Sequence, residues 1–491
     1  MKKRVLALGA ASSAMAAAMI SAPASAETPE EALASRFRAA AAIIDARLAK
    51  EAVPGAAIGV VHDQKLIWSH AYGVEDLETK APVTGDTLFS ICSVSKLFTG
   101  IATMDLVEAD KLSLDAPVAS FFDGASPADE TGAEEPVTVR GILSHVSGLP
   151  REGVADYWGD NSFPDTQGLV AAVSEQHQLY RPYDHWQYSN LGMAMLGEVV
   201  AKASGESWAD YVDANILTPL GMARTTTDMP FEDVGAGFAR GYYVRDGKGE
   251  RKPVEEHAFR AFAPAAGIAS SVNDMAKFAS WSFRLREKGG EEILKATTLK
   301  EMQRVHWVGP EFDEPAWGLA FAARRFGEET VWGHGGYCPG ARTDLALRLP
   351  SKIGVVMMAT ANDVAPDAFV KTVYGLTKGG VEKVYGENKD KDGAKKPKKK
   401  GKPDLSDYEG YYAVDNYPWD TYIGVDEDGL FAVSIFDDNA AENIESFTHE
   451  EGDAFRRKRD DGSLAEPVIF ERDASGRVVA VVQHSYRMTK R

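Results

Sequence analysis

Three short groups of residues carry most of the chemistry in this chain: Ser93-Val94-Ser95-Lys96, Tyr188-Ser189-Asn190 and His334-Gly335-Gly336. A serine hydroxyl is a weak nucleophile at neutral pH and needs a base within hydrogen-bond reach. Lys96 lies three residues after Ser93, so on a helix the two side chains share a face. Burial or a cationic neighbour would lower the lysine pKa and make the amine that base. A tyrosine at the mouth of a helix, as at Tyr188, would relay a proton, and Asn190 would orient Lys96 or the substrate. His334 lies among glycines on a strand-like stretch, where glycine often marks close backbone approach of a ligand. Each group alone has a plainer explanation: a helix N-cap serine, an exposed lysine, a packed tyrosine, a bonded histidine. Their order and setting argue for a serine acyl-transfer site that calls for no metal or cofactor.

The elements that would position these residues follow from pattern. The 491 residues suggest two domains. An alanine-rich helix is expected from Pro29 to about Lys50. Ala56 to Val61 and Lys65 to Trp68 read as strands about the turn His62-Asp63-Gln64. Leu88 to Ile91 leads into a helix that starts at Ser93 and runs through Leu97, Ile101, Met104 and Leu106-Val107, with its positive end toward the nucleophile. Helices and loops fill about 98–260. Strands return at Val331-Trp332, Asp344 to Leu349 and Gly354 to Ala359. Strands at both ends with helices between give an α/β domain over 27–380 beside an all-α insertion.

The stretch from 381 to 403 is expected to be a lysine-rich linker, with eight lysines and almost no apolar residues between Gly386 and Pro403. A solvated tether explains it better than a surface for anionic polymers. From 404 to 491 short alternating runs, such as Tyr411 to Val414, Leu430 to Ile435 and Val478 to Val482, are separated by polar turns. They predict a small antiparallel barrel or sandwich. No nucleophile-and-base set stands out there, so this domain is expected to cap, bind or assemble.

Residues 1–26 read as a secretory signal: Lys2, Lys3 and Arg4, an apolar stretch, then Ala24-Ser25-Ala26 before a cut at Glu27. The stretch is too short and serine-broken for a membrane span, so no transmembrane segment is expected after processing. A periplasmic or secreted location follows. Loss of three positive charges takes the net charge from −19 to near −22, which argues against nucleic acid as a partner. The two cysteines, Cys92 and Cys338, exclude a disulfide framework. They flank two of the motifs, and either one bridge or two buried thiols would fit.

With all three motifs in order, the chain resembles the serine beta-lactamase and penicillin-recognising enzyme superfamily, whose first motif is S-x-x-K. It is closest to the class C beta-lactamase-like branch, with Y-x-N at Tyr188 and Asn190 and H-x-G at His334 and Gly336. Leu143 to Pro150, Pro219 to Met222 and Ala266 to Ser271 are also similar to that branch. The resemblance implies an antiparallel sheet flanked by helices with an all-α subdomain, and a lipocalin-like C-terminal domain that caps the cleft or assembles homo-oligomers. It implies an acyl-enzyme on Ser93, activated by Lys96 and Tyr188, with the oxyanion between the backbone N–H groups of Ser93 and Tyr337. His145 is expected in the cleft wall, outside the chemistry.

Two departures bear on substrate. Many relatives have a lysine in the third motif to anchor a substrate carboxylate. Here His334 replaces it, only partly charged near neutral pH, and Arg342 is the nearest candidate for the missing charge. The second-motif lead-in usually contains Pro-Gly, whereas Pro182-Tyr183-Asp184-His185-Trp186 would narrow the rim. The partner is thus expected to be a small-molecule or peptide substrate, taken by an esterase or a D-amino-acid-directed aminopeptidase. A beta-lactamase or D,D-carboxypeptidase, and a penicillin-binding sensor that stays acylated, are the alternatives.

Overall fold

The computed structural model describes residues 28–491 apart from 124, 133–134, 154–156, 310–314, 387–404, 416, 428 and 460. The leader and residues 387–403 of the expected linker lie outside the described residues, and the linker boundary expected at 381 is too early, because 381–385 continue the helix Pro366–Tyr385.

Helix α1 spans Pro29–Lys50 and is opened by a reciprocal cap: Thr28 accepts from the Glu31 N–H while Glu31 accepts from the Thr28 N–H. Strands β1 (Gly55–His62) and β2 (Lys65–Gly73) follow. The nucleophile region comes next, a tight turn at Cys92–Val94 running into helix α2, Ser95–Glu108. Helices and loops then include α3, Asn190–Ser204, and α4, Val272–Lys288. Strands return as β3 (Ala316–Trp317), β4 (Ala322–Phe326), β5 (Glu329–Cys338), β6 (Ala341–Arg348) and β7 (Ile353–Ala359), and helix α5 covers Pro366–Tyr385. The strands form one antiparallel sheet in the order β2-β1-β7-β6-β5-β4-β3. The first and last parts of the domain therefore meet at β1 and β7.

Side-chain alternation divides the core at this sheet. Ala57, Val61, Leu345, Leu347, Val356 and Met358 face the core shared with α2, α3 and α4. Ala56, Ile58, Val60, Ala346, Val355 and Met357 face α1 and α5. Strands buried on both faces explain why these stretches read as nearly continuous apolar runs.

Residues 410–490 close into an eight-stranded antiparallel barrel. Its interior is filled by Ile423, Val425, Leu430, Phe447, Phe455, Phe470 and Val481. On its outside, Tyr422, Phe431, Val433 and Ile435 join the α1–α5 core. Polar contacts fix the dock: Arg47 donates to the Ile435 carbonyl at 2.6 Å, Arg36 pairs with Asp426 at 2.8 Å, and the Arg36 guanidinium lies 3.7 Å from the Phe431 ring centroid. The barrel thus sits on the face of the sheet away from the nucleophile helix. The capping role expected for it is not realised within this chain.

Phe431 is fully buried at that dock. Phe431→Ala is expected to destabilise the barrel and its contact with α1 by about 3–5 kcal/mol, read by denaturant unfolding followed through aromatic fluorescence.

Candidate active site

The nucleophile turn is held from both sides. The Ile91 N–H donates to the Ile268 carbonyl at 3.0 Å, and Phe89–Ser90 pairs with Ala269–Ser270. Cys92, just before Ser93, sits at φ +50°, a left-handed conformation that a non-glycine residue adopts only when its surroundings impose it. The next turn starts α2 and brings Lys96 Nζ to 3.0 Å from Ser93 Oγ.

Lys96 is fully buried. Its Nζ also donates to the Ala265 carbonyl at 2.7 Å. The 263–268 segment is itself fixed to α2, because Thr99 donates to the Pro264 carbonyl and the Ile268 N–H donates to Ser95 Oγ. Ala265, rather than Asn190, therefore orients the amine. Desolvation holds the Lys96 pKa well below the usual lysine range, with Glu152 opposing and Arg151 reinforcing the shift. The shift favours the neutral amine, which is the form able to take the Ser93 proton.

The second motif is placed by a helix cap. Ser189 accepts from the Gly192 N–H at 2.8 Å and donates to the Pro150 carbonyl at 2.7 Å, which sets Asn190 at the first position of α3. His145, at φ +58°, clamps the residues on either side of Tyr188. Its carbonyl accepts from the Gln187 N–H at 2.7 Å and its Nδ1 accepts from the Ser189 N–H at 3.3 Å. The phenol is hydrogen-bonded with Ser93, and burial raises its pKa far above that of an exposed tyrosine. Lys96 Nζ lies 5.0 Å from the Tyr188 ring centroid. His145 is buried behind the cleft lining rather than in the wall itself, and it positions Tyr188.

The third motif lies on β5, opposite Ser93. A Cβ on Gly336 would stand 2.4 Å from the Ile91 carbonyl oxygen, so only glycine lets this strand approach the nucleophile turn. Cys92 and Cys338 are joined by a disulfide with Cα atoms 5.5 Å apart. The bridge resolves the alternatives left open for these cysteines and ties the residue before Ser93 to the residue after Tyr337. His334 is 4 % exposed, and burial pushes its imidazole down to about 3. It is therefore neutral at pH 7, not partly charged, and its Nδ1 lies 2.6 Å from the Gly335 carbonyl.

These groups open on a cleft of about 840 Å³ lined by Ser93, Tyr188, Asn190, His334, Gly336, Tyr337 and Arg342. Among the described residues, none from the barrel lines it. Arg342 Nε donates to the Val364 carbonyl at 3.0 Å, and its guanidinium covers the exposed Tyr337 ring at 4.6 Å. Of the second-motif lead-in only Trp186 reaches the cleft, where it stacks on Trp317 at 5.7 Å. Tyr183, at φ +68°, turns its hydroxyl to Thr138 at 3.0 Å, so the expected bulk at the rim comes from the tryptophan alone. Sequence reasoning missed Glu152, Trp317 and the Ala265 carbonyl; only their place in the fold marks them.

A family model described as Beta-lactamase matches residues 40–376. The chain belongs to the beta-lactamase family. It is 30% identical over 321 residues to "Beta-lactamase-like protein 2" of Dictyostelium discoideum, covering 64% of this chain and 57% of that protein. It is 28% identical over 312 residues to "Esterase EstB" of Burkholderia gladioli, covering 57% of this chain and 77% of that protein. The chain thus spans little more than half the length of the first relative. The octameric penicillin-binding protein homologue from Pyrococcus abyssi shares the fold, with a TM-score of 0.61 and 23% identity over 91% of this chain and 98% of that one. Among the described residues no helix is long and apolar enough to cross a membrane.

Two outcomes follow for this beta-lactamase-family site. Gly336→Ala should lower kcat by about 100-fold with the fold retained, since displacement of reacting groups by about 1 Å costs that much; ester hydrolysis kinetics and circular dichroism check this. The pH profile of kcat/KM should rise through one acid limb as Lys96 loses its proton, below the ordinary lysine value of 10.5. No histidine limb should appear between about pH 5 and 8, because His334 and His145 are both held neutral by burial.

Proposed function

We propose that this protein is an exported hydrolase that cleaves esters or amides through an acyl-enzyme on Ser93, of the esterase or D-amino-acid-directed aminopeptidase type. The carrying observation is the fully buried Lys96 amine 3.0 Å from Ser93 Oγ. Lys96 takes the Ser93 hydroxyl proton as the oxygen bonds to the substrate carbonyl carbon. The oxyanion forms against the backbone N–H groups of Ser93 and Tyr337, and such preorganised donors are often the largest catalytic contribution. As the tetrahedral adduct collapses, the proton passes from Lys96 by way of Tyr188 to the leaving alcohol or amine. A water then repeats the sequence and releases the acid.

Neutral His334 offers no charge to a substrate carboxylate. This favours ester and aminopeptidase substrates over beta-lactams and D,D-peptides, both of which carry one. Arg342 is the observation on the other side: its guanidinium borders the same cleft. Substrate contacts are assigned to Asn190, His334, Gly336, Tyr337 and Arg342. The barrel, docked away from the cleft, is left free for homo-oligomer contacts.

Steady-state hydrolysis by the mature enzyme and by Ser93→Ala tests this. The panel is p-nitrophenyl acetate, D- and L-alanine p-nitroanilide and nitrocefin. Ser93-dependent turnover of the ester or an anilide, with little nitrocefin turnover, is expected. Fast nitrocefin turnover would assign the carboxylate anchor to Arg342 and a beta-lactamase activity to the enzyme. A burst of about one equivalent that then stops would identify an acylated sensor. An active Ser93→Ala would exclude the acyl-enzyme altogether.

A further inference from the structure

The apolar filling of the barrel does not reach both of its ends. Inward-facing positions alternate along each strand. Ile423 and Val425 therefore put Thr421 and Trp419 on the inner side, and Ala432 puts Ser434 there. Val481 and Met488 do the same for Gln483 and Tyr486. The register agrees, since Thr421 pairs with Ser434 and Gln483 with Tyr486. All of these residues line a cavity of about 380 Å³ at the barrel mouth, with Ala432 and Met488 as its buried floor. Barrel mouths are a recurrent place for small-molecule sites.

The lining is of two kinds. Trp419 and Tyr486 are exposed and packed edge to face, their centroids 4.3 Å apart at 75°. Tyr417, also exposed, lies 5.3 Å from Trp419 and 5.9 Å from Tyr486. Beside these rings, the side chains of Thr421, Ser434 and Gln483 make no hydrogen bond among the described residues. The charged groups of the mouth are already engaged. Glu445 accepts from Arg457 at 2.7 Å, and His484 Nδ1 lies 2.9 Å from Glu466. Asp437 accepts from Asn443 Nδ2 at 2.8 Å and from the Asn439 N–H at 2.9 Å. Arg47 donates to the Asp437 carbonyl at 2.5 Å, so this part of the rim is fixed to α1 before any ligand arrives.

These features select a ligand class. A cation held by aromatic rings needs them spread around it, and here they touch one another. An anion would meet the carboxylates of Asp437 and Glu445. An alkyl chain would cover Thr421, Ser434 and Gln483 without offering them a partner, which is costly. The interior that would receive its tail is occupied by Phe447 and Phe455. A sugar ring has an apolar C–H face for the aromatic pair and a rim of hydroxyls that both donate and accept, as the hydroxyl and amide side chains do. We propose that the barrel mouth is a carbohydrate site, which takes an uncharged pyranose ring on the Trp419–Tyr486 pair with its hydroxyls on Thr421, Ser434 and Gln483. The site stands apart from Ser93 and does not rest on the acyl-transfer assignment. It tethers the protein to a glycan and leaves the catalytic cleft free.

Calorimetric titration of the mature enzyme with chitotriose, cellotriose and maltotriose tests this, with choline and trigalacturonate as charged probes. At least one neutral trimer should bind with a Kd of about 1 mM or tighter, and both charged probes at least about tenfold more weakly. Trp419→Ala should weaken trimer binding by about tenfold or more. Trp419→Phe should retain part of it, and Gln483→Ala should cost less than Trp419→Ala. Trp419 is exposed and far from the nucleophile helix, so ester hydrolysis by these variants should match wild type and report that the fold is kept. The proposal is overturned if no neutral trimer binds, if choline or trigalacturonate binds as tightly, or if Trp419→Ala leaves binding unchanged. Sedimentation velocity on the same samples reads the rival occupant, a second copy of this chain. An oligomer that dissociates in Trp419→Ala would assign the rings to a contact between copies and overturn the carbohydrate site.

Discussion

A lysine amine shut away from water is the condition on which the rest of this molecule depends. Charged, Lys96 would be both costly and useless as a base; neutral, it is a proton acceptor beside Ser93. Full burial favours the neutral form, and burial is achieved by packing α2 against the 263–268 segment and α3. Thr99, Ser95 and the Ala265 carbonyl serve that packing and satisfy the polar groups it encloses. The helical part of the domain can thus be understood as insulation around one amine.

The same economy of charge extends to the groups opposite. His334 and His145 are buried and neutral, so neither adds a positive charge that would compete with Lys96. Geometry here depends on backbone: a glycine where any side chain would strike the Ile91 carbonyl, a disulfide across the two sides, and a histidine that grips both neighbours of Tyr188. The barrel contributes nothing to this constellation. It covers the apolar surface of α1 and α5, which would otherwise expose the second core to water.

Much of this was legible in the linear chain because the chemistry is local. Ser93 and Lys96 are placed by one turn of helix, and Tyr188 and Asn190 by one N-cap, so their spacing carries the geometry. The antiparallel sheet was legible where strands are buried on both faces and hence uniformly apolar. Strand β4, Ala322–Phe326, was not, because Arg324 interrupts it, and that arginine is accommodated by its pair with Asp344 at 2.6 Å and its bond to the Leu345 carbonyl at 2.8 Å. The barrel strands Glu445–Glu451 and Ala454–Lys458 were hidden for a related reason. Phe447 and Phe455 point inward, while charged neighbours face solvent and blur the alternation. Glu152 and Trp317 have no local signature, since both reach the cleft through tertiary register. The loss of charge on His334 is likewise a property of its surroundings.

The disulfide has a topological consequence. Its two cysteines are 246 residues apart, and nearly the whole helical half of the domain lies between them. That half is therefore a closed covalent loop, knotted off at its neck, and the neck is the active site. A backbone break anywhere in the loop would still leave the nucleophile segment and the opposing strand on one covalent molecule.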